Sequence, residues 1–371
     1  MNNEQVKEQS IKEPFVRMVE RPSMEWWKAL LIRVGSVVAA LIVCALLIVL
    51  ITGMNPLLVY TAMFEGAFGT SYLTWNTIRD AMVLLCISVG LAPAFKMRFW
   101  NIGAEGQVLV GAIVTAACMI YFDFLPTWLL IIMTLVFSAI AGAVWGLVPA
   151  VFKAKWGTNE TLFTLMMNYI AIKFTAFFVT LWENPYGSNS VGVINRESKA
   201  GWFPEVFGQK YVLNTIIVLA LATAMYFYLK RSKQGYEITV VGESVNTARY
   251  AGINVQKVII RTMLVSGGIC GIAGFISVAG MGHTISTTTA GGRGFTAIIV
   301  AWMAKFNTFV MIGVSFLIVF LNMGAKEIAS RYGMNEYIAD MITGIILFFI
   351  LGCEFFIKYR LIFRRKSKEV A

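Results

Sequence analysis

The chain has 371 residues, of which 58% are hydrophobic and only 14% are charged, and its mean hydropathy is +0.72. This composition excludes a soluble globular protein, in which about 25% of the residues are charged, and it excludes a disordered or fibrous chain. The net charge of +11 does not indicate nucleic-acid binding, because the lysines and arginines lie in short segments beside apolar runs. That placement is typical of topology signals in membrane proteins.

Long uncharged runs identify the class of protein. A helix that crosses a bilayer needs roughly 20 mostly apolar residues. Runs without any Asp, Glu, Lys or Arg cover Val34–Pro56, Phe124–Phe152, Tyr211–Leu229, Thr262–Gly292 and Phe306–Ala325. All five cysteines lie in apolar segments, where a thiol behaves as a small hydrophobic group. The sequence therefore predicts an all-α protein, a polytopic bundle of transmembrane helices, and implies no disulfide framework.

The predicted spans alternate between the two sides of a plasma membrane. In chain order they are Leu30–Ile51, Thr77–Phe95, Gly106–Phe122, Thr127–Phe152, Leu162–Trp182, Tyr211–Leu229, Thr262–Ala279, the short Gly294–Ala304, Phe306–Ala325 and Tyr337–Ile357. Counting the short piece gives ten crossings, and counts of eight and nine stay open. Cytosolic loops are enriched in Lys and Arg, which places both termini in the cytosol.

Three regions follow from this assignment. Residues 1–29 are predicted to be a cytosolic tail rather than a signal peptide, because mixed charges precede the first apolar run and no small-residue cleavage site follows it. Residues 30–357 form the transmembrane domain, which includes a basic cytosolic loop at residues 230–257. Residues 358–371 form a basic cytosolic tail.

Two segments interrupt the apolar pattern in a similar way, one in each half of the chain. They are Gly90–Gly111 and Ala290–Gly313, and both are amphipathic and rich in glycine. Interrupted segments at corresponding positions of two halves indicate a transport site in a pseudo-symmetric repeat. The alternative is that the glycines only allow close helix packing, which is the interpretation of Gly267, Gly271 and Gly274.

The motifs that are missing argue against an enzyme. The sequence has no G-x-x-x-x-G-K-[ST] phosphate-binding loop and no H-E-x-x-H or Cys-x-x-Cys motif. Its single histidine, His283, excludes a two-histidine metal site. The sequence therefore predicts no catalytic residue, no metal site and no cofactor.

Polar residues beside the spans are the candidates for function, because they are costly in hydrocarbon and usually face a cavity or each other. Asn101, Glu105, Gln107 and Asn168 are the candidate pathway residues. A hydrogen-bonding site at the pathway and a polar connection between helices are equally good interpretations. Lys173, a lone cation near mid-span, is expected either to pair with Glu105 or to extend outward.

Two further local patterns have a structural interpretation. Thr158 or Asn159 is predicted to cap the fifth span, with Glu160 in its first turn. In the cytosolic loop, Glu243–Ala251 is predicted to be a short helix that ends before Gly252. Such a helix suits docking in the groove of a partner, and taken alone it is equally well an ordinary connector.

Several segments, taken together, resemble one family. They are Phe99–Gln107, Gly157–Ile170, Ala248–Val255 with Ser266–Gly274, and Gly292–Trp302. They are similar to the inner-membrane permease subunits of ABC importers in the ribose, branched-chain amino acid and nucleoside group, and most like the nucleoside branch. The resemblance covers roughly residues 30–357. The long charged head and Lys173 depart from the family pattern.

The resemblance implies a non-catalytic half of a pore, surrounded by membrane lipid. Its partners would be a second related permease, a cytosolic ATPase subunit and an extracytoplasmic substrate-binding lipoprotein of the basic-membrane-protein type. The ATPase would bind the cytosolic loop through Gly242, Glu243, Asn246, Arg249, Tyr250 and Gly252. The solute would be a nucleoside, with a purine nucleoside as first choice and a simple sugar as second.

Two alternatives come from other classes of protein. An ion-coupled secondary transporter would bind its ion through membrane carboxylates, for which Glu105, Asp80, Asp340 and Glu354 are the candidates. A membrane-embedded enzyme would need a second catalytic group beside His283, and the sequence suggests none.

Overall fold

The structure is a computed structural model that describes residues 16–21, 24–53, 55–333 and 336–363. Most of the predicted N-terminal tail and most of the C-terminal tail lie outside the described residues. The helices are α1 Trp26–Thr52, α2 Pro56–Phe68, α3 Ser71–Lys96, α4 Ala104–Tyr121, α5 Thr127–Trp156, α6 Glu160–Leu181, α7 Val212–Arg231, α8 Lys233–Glu243, α9 Val245–Tyr250, α10 Val255–Ser277, α11 Arg293–Met303, α12 Thr308–Tyr332 and α13 Glu336–Lys358. A π-helical turn, Val278–Gly282, extends α10, and two strands are β1 Val16–Glu20 and β2 Tyr359–Phe363.

The predicted all-α, polytopic membrane fold is confirmed. Within the described residues, 9 helices are long and apolar enough to cross a membrane. The predicted tenth crossing, α11, has 11 residues and is about 16 Å long, roughly half of the hydrocarbon core. Helix α2 and helix α8, which lies in the loop at residues 230–257, were not predicted from the sequence.

The chain divides into two compact units, a larger unit of Phe64–Met323 and a smaller unit of Met1–Met63 with Gly324–Ala371. In the larger unit, α10 packs against α3, α4 and α5. A Cβ atom at Gly271 would lie 2.2 Å from the Ser138 carbonyl oxygen, and one at Gly274 would lie 2.2 Å from the Val108 carbonyl oxygen. The structure thus confirms that these glycines allow close helix packing.

The smaller unit places the two ends of the described chain side by side. Helix α1 packs against α13, and Arg33 forms a salt bridge of 2.6 Å with Glu354. Strands β1 and β2 pair in antiparallel register, with Val16 opposite Phe363. Only tails were predicted here from the sequence. The two short strands lie far apart in the chain and pair only because α1 and α13 bring them together.

Candidate functional site

The N-terminus of α11 lies against a buried glutamate. Glu105, in the first turn of α4, is only 7% exposed. Its Oε1 accepts a hydrogen bond from the Gly292 backbone N–H at 2.7 Å, and its Oε2 accepts one from the Gly294 N–H at 2.8 Å. The first N–H groups of a helix have no partner within the helix and carry partial positive charge. Glu105 therefore caps α11 with both carboxylate oxygens.

Glycine is required where α4 and α11 meet. Gly292 has a φ of +73°, a left-handed conformation that residues with a side chain rarely adopt. A Cβ atom at Gly294 would lie 2.5 Å from the backbone nitrogen of Glu105 and 2.7 Å from its Oε2. The Gly-Arg-Gly sequence at residues 292–294 therefore provides both the turn and the close approach that the cap needs.

A cluster of charged side chains also holds the N-terminus of α11, through the side chain of Arg293. The Asp80 carboxylate, 6% exposed, accepts a hydrogen bond from Arg79 Nε at 3.1 Å and one from Arg293 Nη2 at 3.4 Å. Arg79 Nη1 also donates to the Tyr211 hydroxyl at 3.3 Å. Asp80 was considered from the sequence only as a candidate ligand for a coupling ion, and its pairing with Arg79 and Arg293 was not predicted, although the adjacent charges Arg79 and Asp80 inside a predicted span were a signal for it.

Aromatic rings fix the other end of α11. Trp302 stacks on Trp100 with ring centroids 5.5 Å apart, and it contacts Phe95 edge-on at 6.1 Å. Since Phe95 lies next to the last residue of α3 and Asp80 lies well inside that helix, α11 runs beside the second part of α3. The N-terminus of α11 is therefore inside the span of α3 and not at its end.

These contacts join the two interrupted segments that the sequence analysis singled out. Phe95, Trp100 and Glu105 belong to Gly90–Gly111, whereas Gly292 and Trp302 belong to Ala290–Gly313. The two segments bind each other directly, through hydrogen bonds from backbone N–H groups to the Glu105 carboxylate at one end and through stacked indole rings at the other. The pseudo-symmetric repeat itself stays a prediction.

The loop before α4 is held by a small amide network. Asn101 is 0% exposed and Gln107 is 1% exposed. Asn101 Nδ2 donates to Ser266 Oγ at 3.3 Å, and Gln107 Nε2 donates to Asn101 Oδ1 at 3.3 Å. Asn101 Oδ1 also accepts from the Gly103 N–H at 3.1 Å. The network ties the loop to α10.

Asn168 clamps the same loop from α6. Its Oδ1 accepts a hydrogen bond from the Gly106 N–H at 2.8 Å, and its Nδ2 donates to the Ile102 carbonyl oxygen at 2.9 Å. The side chain is 2% exposed. All four candidate pathway residues are thus buried and bonded to other parts of the chain. This geometry favours the second interpretation, a polar connection between helices.

Lys173 does not form an ion pair with Glu105, whose carboxylate is occupied by α11. The lysine lies on an exposed face of α6 and lines a surface pocket with Tyr169, Phe174 and Phe177. Of the two expectations for this cation, the structure supports the outward extension.

Of the two residues predicted to cap α6, Thr158 and Asn159, the structure shows Asn159 as the cap. Its Oδ1 accepts hydrogen bonds from Thr161 N and Leu162 N.

The loop at residues 230–257, which was predicted to be cytosolic, contains two helices where one was predicted. The predicted helix Glu243–Ala251 is corrected to α9, Val245–Tyr250, and Glu243 instead ends α8. The break occurs at Ser244, which is extended and whose hydroxyl caps α9 by accepting from the Thr247 N–H at 3.2 Å. The predicted stop at Gly252 is confirmed by its φ of +75°.

The candidate coupling residues divide into a packed one and five exposed ones. Gly242 is buried, and a Cβ atom there would lie 2.2 Å from the Lys96 carbonyl oxygen, so this glycine joins α8 to α3. The exposed residues are Glu243, Asn246, Arg249, Tyr250 and Gly252. Tyr250 is 94% exposed, whereas Ala248 anchors α9 with 0% exposure. Helix α9 therefore presents a polar face with one exposed aromatic side chain, that of Tyr250.

A cavity of about 480 Å³ lies near the start of α7. Its wall includes Trp202 and His283, whose rings stack with centroids 3.7 Å apart. Burial, with the charge of Lys210 as a smaller cause, lowers the pKa of His283 to about 4. The imidazole is therefore neutral at physiological pH, and it acts here as a flat stacking partner.

Comparison with known proteins assigns the fold to a family. A family model described as the permease component of the branched-chain amino acid transport system matches residues 73–351. That match covers most of the chain, including α11 and the glutamate that caps it. The chain belongs to this permease family.

Individual relatives of this permease are named for different solutes. It is 29% identical to the guanosine ABC transporter permease NupP of Bacillus subtilis, over 82% of this chain and 88% of the relative. It is 26% identical to the nucleoside ABC transporter permease NupB of Lactococcus lactis, over 82% and 86%. It is also 26% identical to the glucose ABC transporter permease TsgB13 of Haloferax volcanii, over 92% of each chain. No solved structure is detectably similar to this permease.

Proposed function

We propose that this permease is the membrane-spanning, non-catalytic subunit of an ATP-driven importer of purine nucleosides. The observation that carries the proposal is the similarity to the guanosine permease NupP over 82% of this chain and 88% of the relative. A sugar is the second candidate solute, supported by the similarity to the glucose permease TsgB13. ATP hydrolysis is assigned to a separate subunit, because the sequence carries no phosphate-binding loop.

The state of the membrane carboxylates argues against ion coupling. A coupling-ion site built from membrane carboxylates needs carboxylate oxygens that are available to a cation. Both oxygens of Glu105 accept backbone N–H groups, and Asp80 is neutralised by Arg79 and Arg293. Glu354 pairs with Arg33, whereas the side chain of Asp340, the fourth candidate, lies outside the described part of the structure. The three described carboxylates favour ATP-driven transport over ion coupling.

The four buried polar residues support the pathway in this proposal without lining it. Asn101, Gln107 and Asn168 fix the loop before α4. Glu105, which directly follows this loop, binds the N-terminus of α11. A half-length helix held at both ends is a rigid body whose position can differ between two states of a transporter. We therefore assign to α11 the boundary of the pathway, which a second related permease would complete.

Uptake by the assembled importer tests the solute. Cells that carry the ATPase, the lipoprotein and both permeases are expected to accumulate labelled guanosine, and unlabelled adenosine is expected to compete better than glucose or ribose. Removal of this chain alone should abolish accumulation. Competition by glucose but not by adenosine would favour the sugar importer. Uptake that survives ATP depletion and collapses with the ion gradient would favour a secondary transporter.

The coupling role of α9 gives a prediction about its exposed residues. Tyr250→Ala and Arg249→Ala are expected to weaken binding of the ATPase subunit by roughly tenfold or more, since exposed aromatic and arginine side chains dominate many interfaces. Gly252→Val should destabilise the folded loop by about 1 kcal/mol or more, because a β-branched residue fits poorly at the Gly252 φ of +75°. Co-purification of the ATPase and uptake measure these effects.

Thr247→Ala serves as the matched control, because the Thr247 side chain is exposed on the same helix and was not assigned to coupling. Normal transport by Tyr250→Ala, Arg249→Ala and Gly252→Val would mean that the loop is an ordinary connector.

The proposed topology can be tested with single cysteines, since the five native cysteines are all buried. A membrane-impermeant maleimide added to intact cells is expected to label Glu197→Cys, in the external loop, and to leave Glu243→Cys unlabelled. Both residues are exposed in the structure, so the difference reports the side of the membrane. Opening the cells should make Glu243→Cys reactive. Labelling of Glu243→Cys from outside would reverse the assignment of every loop.

A further inference from the structure

The smaller unit contains a slot that is apolar along its length and basic at one end. It is a cavity of about 780 Å³ between α1 and α13. Its apolar wall includes Ile32, Phe348 and Phe356, and two arginines, Arg21 and Arg360, also line it. Arg21 follows β1 directly, and Arg360 lies within β2, so the paired strands bring the two cations together.

The two arginines are left without an acidic partner among the described residues. Of the carboxylates nearby, Glu354 binds Arg33 at 2.6 Å and Glu20 binds Lys358 at 3.4 Å. Arg21 Nε is buried and has no hydrogen-bond partner within the described part of the chain. A buried donor without a partner is costly. The slot therefore presents two guanidinium groups to an anion, and neither is paired with a carboxylate among the described residues.

The apolar part of the slot is open to a chain-like ligand. Phe348 is 73% exposed and Phe356 is 53% exposed on α13. A Cβ atom built at Gly352, between them on the slot wall, would meet no atom within 4 Å. Such a surface is suited to a hydrocarbon chain. The arginines lie where α1 begins and α13 ends, at the level expected for headgroups beside two spanning helices.

We propose that this slot binds one anionic phospholipid. Arg21 and Arg360 donate hydrogen bonds to the phosphate oxygens, as guanidinium groups do with particular strength. One acyl chain lies along Phe348 and Phe356 over Gly352. The bound lipid joins the strand pair to the helices beneath it. This proposal is independent of the transported solute.

Native mass spectrometry of the purified full chain tests the proposal. The wild-type chain is expected to retain one phosphatidylglycerol and to release phosphatidylcholine under the same conditions. Arg21→Gln and Arg360→Gln should each lower phosphatidylglycerol retention roughly fivefold, since one basic residue at a membrane surface contributes about that factor. Lys28→Gln is the control, because it removes one exposed charge at the same end of α1 without altering the slot.

A second variant removes the acyl-chain site without a change of charge. Gly352→Leu is expected to fill the open wall and lower retention, while the helix keeps its fold because a Cβ atom at this position meets no atom within 4 Å. Inorganic phosphate at millimolar concentration should not displace the lipid. Three results would overturn the proposal: equal retention by the arginine variants and Lys28→Gln, equal retention of phosphatidylcholine, or displacement by phosphate alone.

Discussion

Replacing Glu105 by Gln is expected to lower solute uptake about fivefold or more while membrane abundance stays near normal. The carboxylate accepts the N–H groups of Gly292 and Gly294, and a glutamine has only one oxygen with which to do so. Its amide NH₂ would face the other N–H and leave it unsatisfied. A buried unsatisfied N–H costs about 1–3 kcal/mol, and about 1.4 kcal/mol corresponds to a factor of ten in an equilibrium.

The expected loss is in transport and not in folding, because α11 keeps its other anchors. Arg293 still binds Asp80, and Trp302 still stacks on Trp100. Glu197→Gln is the control, since it makes the same chemical change at an exposed residue of the loop between α6 and α7. Uptake and membrane abundance should be measured on the same cells. Unchanged uptake in Glu105→Gln would leave Glu105 with a packing role only.

Replacing Gly271 by Ala is expected to abolish the folded permease. The new Cβ atom would lie 2.2 Å from the Ser138 carbonyl oxygen of α5, a distance that forces the two backbones apart. Overpacking of a well-packed core typically costs about 1–3 kcal/mol, and occasionally more. In this case α10 would have to move away from α4 as well, because Gly274 and Gly111 make similarly close contacts on the neighbouring face.

Gly268→Ala is a matched control within the same helix. A Cβ atom at Gly268 would lie 3.5 Å from the Ala139 carbonyl oxygen, which is an ordinary contact. Gel filtration of the detergent-purified protein and its yield in the membrane fraction measure the outcome. Normal yield and a single sharp peak for Gly271→Ala would mean that α5 and α10 are not packed as described.

The arrangement around α11 explains why charged groups persist so deep in an apolar chain. A helix that begins inside a span exposes backbone N–H groups where no water is available to bind them. Glu105 satisfies those groups, and Asp80 neutralises the arginine that opens the helix. The charges thus compensate for an interrupted backbone, and mutations that remove one of them should affect the position of α11 before they affect the rest of the bundle.

The sequence by itself determined the class of fold, most of the spans and several local ends of helices. A bilayer imposes a one-dimensional requirement, since each span must be long and apolar, and the chain meets it at positions that can be read directly. The cap at Asn159 and the stop at Gly252 were also predictable, because both depend on residues within a few positions of the helix end. The family was recognisable from short segments in a fixed order.

Only the tertiary structure decided which distant groups meet. The partners of Glu105 lie in a different segment of the chain, and the hydropathy pattern contains no information about such pairings. The same is true of the strand pair that joins Val16 to Phe363. Gly242 has the sequence context of an exposed loop, yet it is buried, because α8 folds back onto the end of α3. Periodicity fixes which face of a helix is apolar, whereas the neighbour of that face is fixed only when the helices pack.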